Sequence, residues 1–297
     1  MKSGSVSFVG RPNAGKSTLL NRIVGHKLAI VSDKPQTTRT RILGVKNYDD
    51  GQVVFVDTPG VHKPTHRLNV RMVGTALEAM KDVDLLTLVV DVSVKAGPGD
   101  RYLLELLKDV KTPAILVLNK VDLIAKHRLL PIMDQYQKAH PFVEIVPISA
   151  SDGTNVDVLE KLFLQHLPDG EPMYPPDYVT DQPEAFMVSE IIREQVLLLT
   201  HDELPHSTAV VIDQYEEDDP KIVKIYATIL VDRESQKPIV VGRAGSMIKS
   251  IGSAGRIELE KYFGRQVYLD LHVKVKAEWR NDERLLDQLG MQSSTDE

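Results

Sequence analysis

Gly10-Arg11-Pro12-Asn13-Ala14-Gly15-Lys16-Ser17 places two glycines, a lysine and a hydroxyl at the spacing G-x-x-x-x-G-K-[ST]. Glycines at these positions let the backbone curl until successive N–H groups converge on a phosphate. Lys16 can then neutralise β- and γ-phosphates, and the Ser17 hydroxyl is a hard oxygen ligand for Mg²⁺. Asn13, Ala14, Gly15, Lys16, Ser17 and Thr18 are the expected phosphate-binding residues. Asp57-Thr58-Pro59-Gly60 begins 47 residues after Gly10. A carboxylate there suits the Mg²⁺ shell through water, and the Gly60 N–H can meet a γ-phosphate and lose it after hydrolysis. Between the two lies Gln36-Thr37-Thr38-Arg39, where a loop should approach the γ-phosphate. Thr38 is the expected second Mg²⁺ ligand, with Thr37 as its rival. The catalytic set is therefore Lys16, Thr38 and Gly60, and the metal set Ser17, Thr38 and, through water, Asp57.

Asn119-Lys120-Val121-Asp122 adds base selection. Guanine presents its N1–H and N2 amino group side by side, both donors, and an Asp122 carboxylate can accept from both. Adenine offers an acceptor at the ring nitrogen and would leave the carboxylate unpaired, a mismatch worth a factor of about 10⁴. Asn119 would brace the loop, the Lys120 stem would cover the base plane, and Ser149-Ala150 would bring a backbone N–H to the guanine oxygen. The expected ligand is GTP or GDP.

These residues need a rigid support. Val6–Val9, Val53–Val56, Leu85–Val90, Ala114–Leu118 and Phe142–Ile148 are near-continuously apolar, as strands covered on both faces should be. A further strand is expected near Thr40–Asn47. Each motif follows the carboxyl end of one of these runs, and stretches with helical spacing separate them. The expected fold of residues 1–170 is α/β: a mostly parallel sheet with helices on both faces. Proline then crowds the linker at 171–183, which contains Pro172, Pro175, Pro176 and Pro183. In residues 184–297 a helix at Glu184–Leu199 precedes strands near Ala209–Asp213 and Ile222–Val231. A helix at Met247–Phe263 and a cleanly alternating strand, Val267–Val275, follow, giving an α+β domain with one covered sheet face.

Composition agrees with this plan. Of 297 residues 42% are hydrophobic and 26% charged, with no cysteine, which excludes disulfides and thiolate metal sites. The nine histidines lack paired ligand spacing. No apolar run is long enough to span a bilayer, and a cytoplasmic protein is expected. The net charge is −6, yet residues 221–284 hold 13 basic and 8 acidic side chains, so a basic face within an acidic domain is possible in principle.

GRPNAGKSTLLN (Gly10–Asn21), SDKPQTTRTRILG (Ser32–Gly44), VDTPG, LNKVD and PISA together resemble the bacterial Era family of GTPases. So do SEIIRE (Ser189–Glu194), ELP (Glu203–Pro205), IGSAGR (Ile251–Arg256) and VKVKAEWRNDERLLDQLG (Val273–Gly290) beyond the linker. The resemblance implies a P-loop GTPase domain followed by a type II KH domain, which recognises 16S ribosomal RNA near its 3′ end, and a role in 30S subunit assembly. It also implies a monomer, and leaves peripheral contact with a membrane surface open. A KH domain presents a G-x-x-G loop that clamps about four nucleotides. Of the two candidates, Gly242-Arg243-Ala244-Gly245 precedes a helix and is preferred; Gly252-Ser253-Ala254-Gly255 falls inside that helix and reads as close packing. The expected RNA contacts are Gly242, Arg243, Ala244, Gly245, Ile248, Lys249 and Arg256. Pro238–Val241 has strand propensity, but the resemblance makes it the end of a helix.

Val61 stands where many GTPases place a water-orienting glutamine, so slow basal turnover is expected. Asn13 resembles the residue with which some relatives hold K⁺ near the phosphates. The rival reading is a signalling or membrane-associated GTPase whose C-terminal domain binds protein, with Val196–Leu199 as docking face. His62, His66 and Trp279 carry no role that the sequence supplies.

Overall fold

In the computed structural model, residues 1–34, 36–61, 67–200, 204 and 207–291 are described. His62, His66, Glu203 and Pro205 lie outside them.

The N-terminal domain is built on strands β1 (Lys2–Gly10), β2 (Ile42–Tyr48), β3 (Gly51–Asp57), β4 (Leu85–Asp91), β5 (Ala114–Asn119) and β6 (Glu144–Pro147) in the order β2-β3-β1-β4-β5-β6. Only β2 runs antiparallel to its neighbour. Helices α1 (Lys16–Val24) and α5 (Val156–His166) cover one face, where Leu19, Leu20, Ile23, Leu159 and Phe163 meet Val6, Phe8, Val53 and Phe55. Phe8, Phe55 and Phe163 form an aromatic trio with centroids 5.6–6.2 Å apart. Helices α2 (Arg67–Glu78), α3 (Pro98–Leu107) and α4 (Leu129–Ala139) cover the other face with Ala76, Leu103, Leu107 and Tyr136. The apolar runs are continuous because both faces are buried. The last strand is shorter than the run Phe142–Ile148 suggests, because Phe142 and Val143 lead in from a turn: Phe142 N–H donates to the His140 carbonyl.

Residues 171–183 are extended and lie along β2 and β3. The Val45 N–H donates to the Val179 carbonyl at 2.8 Å, Gln52 bonds Met173 and Tyr174, and the stacked Tyr174 and Tyr178 rings cover Leu43, Val45 and Val54. Proline blocks regular structure here without freeing the chain from the surface.

The C-terminal domain runs α6 (Glu184–Leu199), β7 (Thr208–Asp219), β8 (Ile222–Val231), α7 (Lys237–Val241), α8 (Ser246–Phe263), β9 (Gln266–Val275) and α9 (Glu283–Gln288). β7 pairs antiparallel and β9 parallel with β8, leaving β9 at an edge. α6 and α8 pack on one face around Val188, Ile192, Ile225, Ile229, Ile251 and Leu259. Lys237–Val241 is helical despite its β-branched residues: Pro238 opens the turn, and the Gly242 N–H closes it on the Pro238 carbonyl at 2.8 Å. β7 continues to Asp219, past the expected Asp213, through two register irregularities that carry the acidic residues outward.

Trp279 has a structural place after all. It is fully buried, donates its indole N–H to the Ser207 carbonyl at 2.9 Å, and packs with Leu68 and Met72 of α2 and Leu285 and Leu286 of α9. It sits in the joint between the domains.

Candidate functional site

The nucleotide loops converge at the carboxyl ends of β1, β3, β5 and β6, where an open α/β sheet gathers its ligands. Pro12, Asn13, Gly15, Lys16, Ser17, Thr18, Val31, Thr38, Gly60 and Lys120 are among the residues around a cavity of about 210 Å³. Glycine is required where chain meets chain. A Cβ on Gly10 would lie 2.5 Å from the Val89 carbonyl oxygen, on Gly15 2.2 Å from Asn119 Nδ2, and on Gly60 2.6 Å from the Pro12 nitrogen. Gly15 also has φ +94°, a conformation side chains resist.

Lys16 is buried, and its ammonium donates to the Gly10 and Arg11 carbonyls at 3.3 and 3.1 Å. Burial lowers its pKa, partly offset by Asp57. Asp57 is likewise buried. Burial raises its pKa against the opposing effects of Lys16 and the hydroxyls of Ser17 and Thr38. Ser17 Oγ lies 2.6 Å from Asp57 Oδ2 and 2.8 Å from Thr38 Oγ1, and Thr38 Oγ1 is 3.4 Å from the same carboxylate oxygen. The second carboxylate oxygen, Asp57 Oδ1, is buried with no hydrogen-bond partner. Thr37 is turned away: its hydroxyl contacts Ser32 Oγ and the Lys34 carbonyl, both at 2.7 Å. Three hard oxygens thus meet beside Lys16, a donor set that fits Mg²⁺.

Asn119 joins the loops. Its Nδ2 donates to the Ala14 carbonyl at 2.8 Å and its Oδ1 accepts the Ala150 N–H at 2.9 Å. Of the two backbone N–H groups at Ser149-Ala150, from which one was expected to meet the guanine oxygen, that of Ala150 is donated to Asn119 and that of Ser149 to the Thr154 carbonyl at 3.1 Å. Lys120 takes φ +68° and pairs with Asp91 at 2.6 Å. Asp122 sits exposed in a short 3₁₀ turn, Val121–Leu123. Ser149 is buried, with its hydroxyl 2.9 Å from that of Ser151. Two supports lie outside the motifs. Asn21 holds the Leu28 and Ala29 N–H groups at 2.9 Å each, and Arg22 reaches the Ala150 and Ser151 carbonyls. Their only sequence signal is position on the P-loop helix, one turn beyond Ser17.

In the second domain Gly242–Gly245 forms the expected tight loop, with φ +74° at Gly242, +50° at Ala244 and +76° at Gly245. Ile248, Lys249 and Arg256 of α8 line an open groove of about 330 Å³ with Gly252, Ser253 and the β9 residues Leu269 and Leu271. Gly255 is buried 3.3 Å (as a built Cβ) from Leu269, a close-packing glycine as expected.

A family model described as 50S ribosome-binding GTPase matches residues 5–120, and one described as KH domain matches 203–280. GTPase Era of Staphylococcus haemolyticus is 48% identical over 289 residues, 97% of each chain. GTPase Era of Syntrophus aciditrophicus is 48% identical over 290 residues, 97% of this chain and 95% of the relative.

The chain belongs to the Era family of GTPases.

Its fold matches solved Era structures throughout. An Aquifex aeolicus Era variant bound to GDP·AlF₄⁻ superposes with a TM-score of 0.92 at 41% identity, covering 98% of this chain and 99% of that one. An Era complex with MgGDPNP and nucleotides 1506–1542 of 16S ribosomal RNA gives 0.94 at 42% identity, with the same coverage. Like its family, this chain is a P-loop GTPase domain followed by a KH domain, and it hydrolyses GTP.

The Era-like loops also touch the KH domain directly. Consecutive residues of α6 hold both ends of the loop that carries Thr38. Glu194 accepts the Val31 N–H at 2.9 Å, and Arg193 donates to the Thr37 carbonyl. Arg193 is 1% exposed and braced by Glu190, its Nε 2.6 Å from Oε1. Lys27 bridges Glu194 of α6, at 2.5 Å, to Glu258 of α8, at 3.4 Å. Arg39 donates to the Thr208 carbonyl at 2.7 Å and stacks on Trp279. The KH-domain partners are distant in sequence from these loops and belong to no nucleotide motif, which is why sequence reasoning missed the contacts.

Proposed function

We propose that this GTPase is a nucleotide-driven switch that binds 16S ribosomal RNA near its 3′ end and assists 30S subunit assembly in the cytoplasm, acting as a monomer. The observation that carries the reading is the junction of the two domains: the loop bearing Thr38 is clamped by the helix that packs beside the G-x-x-G helix. In this reading Asn13 to Thr18 cradle the phosphates, Lys16 neutralises them, and Asp122 selects guanine with Asn119, Lys120, Ser149 and Ala150 around it. Ser17 and Thr38 would hold Mg²⁺ directly and Asp57 through water; the bonds of the Thr37 hydroxyl to Ser32 and Lys34 favour Thr38 over Thr37 in this role. When bound, the metal supplies charge neutralisation between β- and γ-oxygens.

Val61 is 1% exposed and donates its N–H to the Gly10 carbonyl at 3.2 Å. It cannot orient water, so turnover without a partner is slow. Asn13 donates its amide to the Asp33 carbonyl, while its amide oxygen accepts from no described residue. A K⁺ ion between that oxygen and the loop carbonyls would add positive charge where hydrolysis needs it. Equal hydrolysis rates in Na⁺ and K⁺ would exclude this role.

The RNA side rests on the G-x-x-G loop and on Arg243 and Lys249, which make no ion pair among the described residues. The RNA held by the family member described above runs from nucleotide 1506 to 1542, a stretch of 37. Crosslinking the intact protein to that segment tests the assignment. Contact peptides should include Gly242–Arg256; peptides confined to the GTPase domain would overturn it.

A further inference from the structure

A KH groove clamps about four nucleotides, far fewer than the RNA proposed above. The outer face of the C-terminal sheet is exposed at its Tyr268 end, while its other end, at Ala209 and Leu230, is buried against α2 and Trp279. Along β9, Val267, Leu269, Leu271, Val273 and Val275 turn into the core, so Tyr268, Asp270, His272 and Lys274 occupy the opposite face. Along β8, Val223, Ile225, Ala227 and Ile229 are core, which puts Lys224, Tyr226 and Thr228 beside them. The parallel register sets Lys224 opposite Tyr268 and Tyr226 opposite Asp270. The two tyrosine rings meet across the strands at 5.8 Å, tilted by 58°, and Tyr268 is 48% exposed.

Among the described residues, α6 and α8 pack on the other face of the sheet. A cross-strand aromatic pair stabilises a sheet modestly, and each exposed ring also presents a π-face on which an unstacked base can lie. Basic side chains share the face, with Lys274 six residues, about 20 Å, along the strand from Tyr268. Lys274 is exposed and makes no ion pair among the described residues, Lys224 reaches Glu216 at 3.4 Å, and His272 stands 3.7 Å from Asp270. Acid lies on β7, at Asp213 and Glu216, and within the patch at Asp270, which is opposite Tyr226 and beside His272.

β9 connects the two surfaces. Leu269 and Leu271 on its inner face line the α8 groove, and the strand is the edge of its sheet. A polynucleotide leaving the groove over that edge meets Tyr268 within one strand width, about 5 Å.

We propose that the outer face of β8 and β9, with Tyr226, Tyr268 and Lys274, binds single-stranded RNA as a continuation of the strand held in the α8–β9 groove. The proposal rests on the RNA reading above. Bases stack on the tyrosines and Lys274 meets a phosphate, the arrangement of a sheet-borne single-strand platform. It is distinct from the G-x-x-G groove, which holds backbone through glycines and a helix N-terminus.

The test compares two RNAs on the full-length protein with GTP bound: the 37-nucleotide segment, and the shortest piece of it that still binds, expected at about four nucleotides. Tyr268→Ala should weaken the long RNA by about 5- to 150-fold and leave the short one unchanged. Tyr268→Phe should restore binding. Lys274→Gln should reduce the salt slope of the long RNA by about 0.7. Gly245→Asp should weaken both RNAs, since it disables the groove itself. The platform is refuted if the Tyr226→Ala/Tyr268→Ala double variant binds the long RNA like the parent, or if Tyr268→Ala weakens both RNAs equally. Failure of the parent protein to bind either RNA would sink the RNA reading and the platform with it.

Discussion

Two glycine loops are proposed to meet phosphates in this molecule, and they are built differently. In the GTPase domain, chain or side-chain atoms fill the space beside Gly10, Gly15 and Gly60, within 2.2–2.6 Å of where a Cβ would stand. In the KH domain a Cβ on Gly242 would strike Met247 at 2.6 Å, but beside Gly245 nothing lies within 4 Å. The first loop is braced from all sides by its own protein and stands preorganised for one ligand shape. The second is braced at one end and open at the other, so glycine there serves conformation alone. A small, fixed ligand permits a closed cradle; a long polymer requires an open one.

The comparison is most exposed at Gly15. Gly15→Ala adds a clash to a positive φ, at a cost of about 2–4 kcal/mol, and should weaken GTP binding by roughly 30- to 1000-fold. Titration of a fluorescent GTP analogue measures it, and a loss of only severalfold would erase the contrast. Next comes the clamp between the loops. Arg193→Met removes the hold on the Thr37 carbonyl. It should reduce the ratio of RNA affinities in the GTP and GDP states from the usual coupling range of about 5- to 150-fold toward unity. Unchanged RNA affinity ratios in filter binding would disconnect the loops. Gly245→Ala, in open space, carries only the left-handed penalty of about 1–2 kcal/mol, or roughly 5- to 30-fold in RNA affinity. If it proved as damaging as Gly15→Ala, the KH loop would be a closed cradle too.

The smallest effect concerns pH. Glu283 is held below the ordinary carboxylate range by its bond to Arg67 and by Arg71, and Glu258 by its bond to Lys261 and by Lys27. A depressed folded-state value means that their contribution is complete above the usual carboxylate pKa of about 4.3 and is lost as pH falls through the folded value. The domain junction should therefore loosen slightly below pH 4.3 or so, seen as a shallow fall in thermal midpoint that Glu283→Gln reduces. A midpoint that rises on acidification would contradict the sign.

What the sequence discloses follows the same division. Backbone-built sites need fixed residue types at fixed spacing, so Lys16, Ser17, Asp57, Asn119 and Asp122 could be read directly, as could the apolar runs that place them. Spacing alone left Thr37 and Thr38 as rivals; what favours Thr38 is a contact no spacing reports, the bonds of the Thr37 hydroxyl to Ser32 and Lys34. The engagement of the Ala150 N–H by Asn119 was equally hidden, since it depends on two strand ends meeting. Pro238–Val241 was misjudged by propensity and rescued by resemblance, because a five-residue helix is set by its proline start and glycine stop. The domain junction was invisible. Arg193, Glu194, Arg39 and Trp279 find partners 72–169 residues away, and no local pattern reports such a meeting. The proline-rich stretch read as a spacer but adheres to β2, because proline forbids regular structure and does not forbid packing.

Base selection by Asp122 is the claim on which the nucleotide site stands, and calorimetry of the parent protein and Asp122→Asn with GTP, ATP and xanthosine triphosphate tests it most directly. Xanthine carries a carbonyl where guanine has its amino group, and an asparagine amide can donate to it. The account predicts that the parent prefers GTP over ATP by about 10⁴-fold or more and that the variant abandons GTP for xanthosine triphosphate. Comparable uptake of ATP and GTP by the parent, or an unaltered GTP preference in the variant, would contradict it.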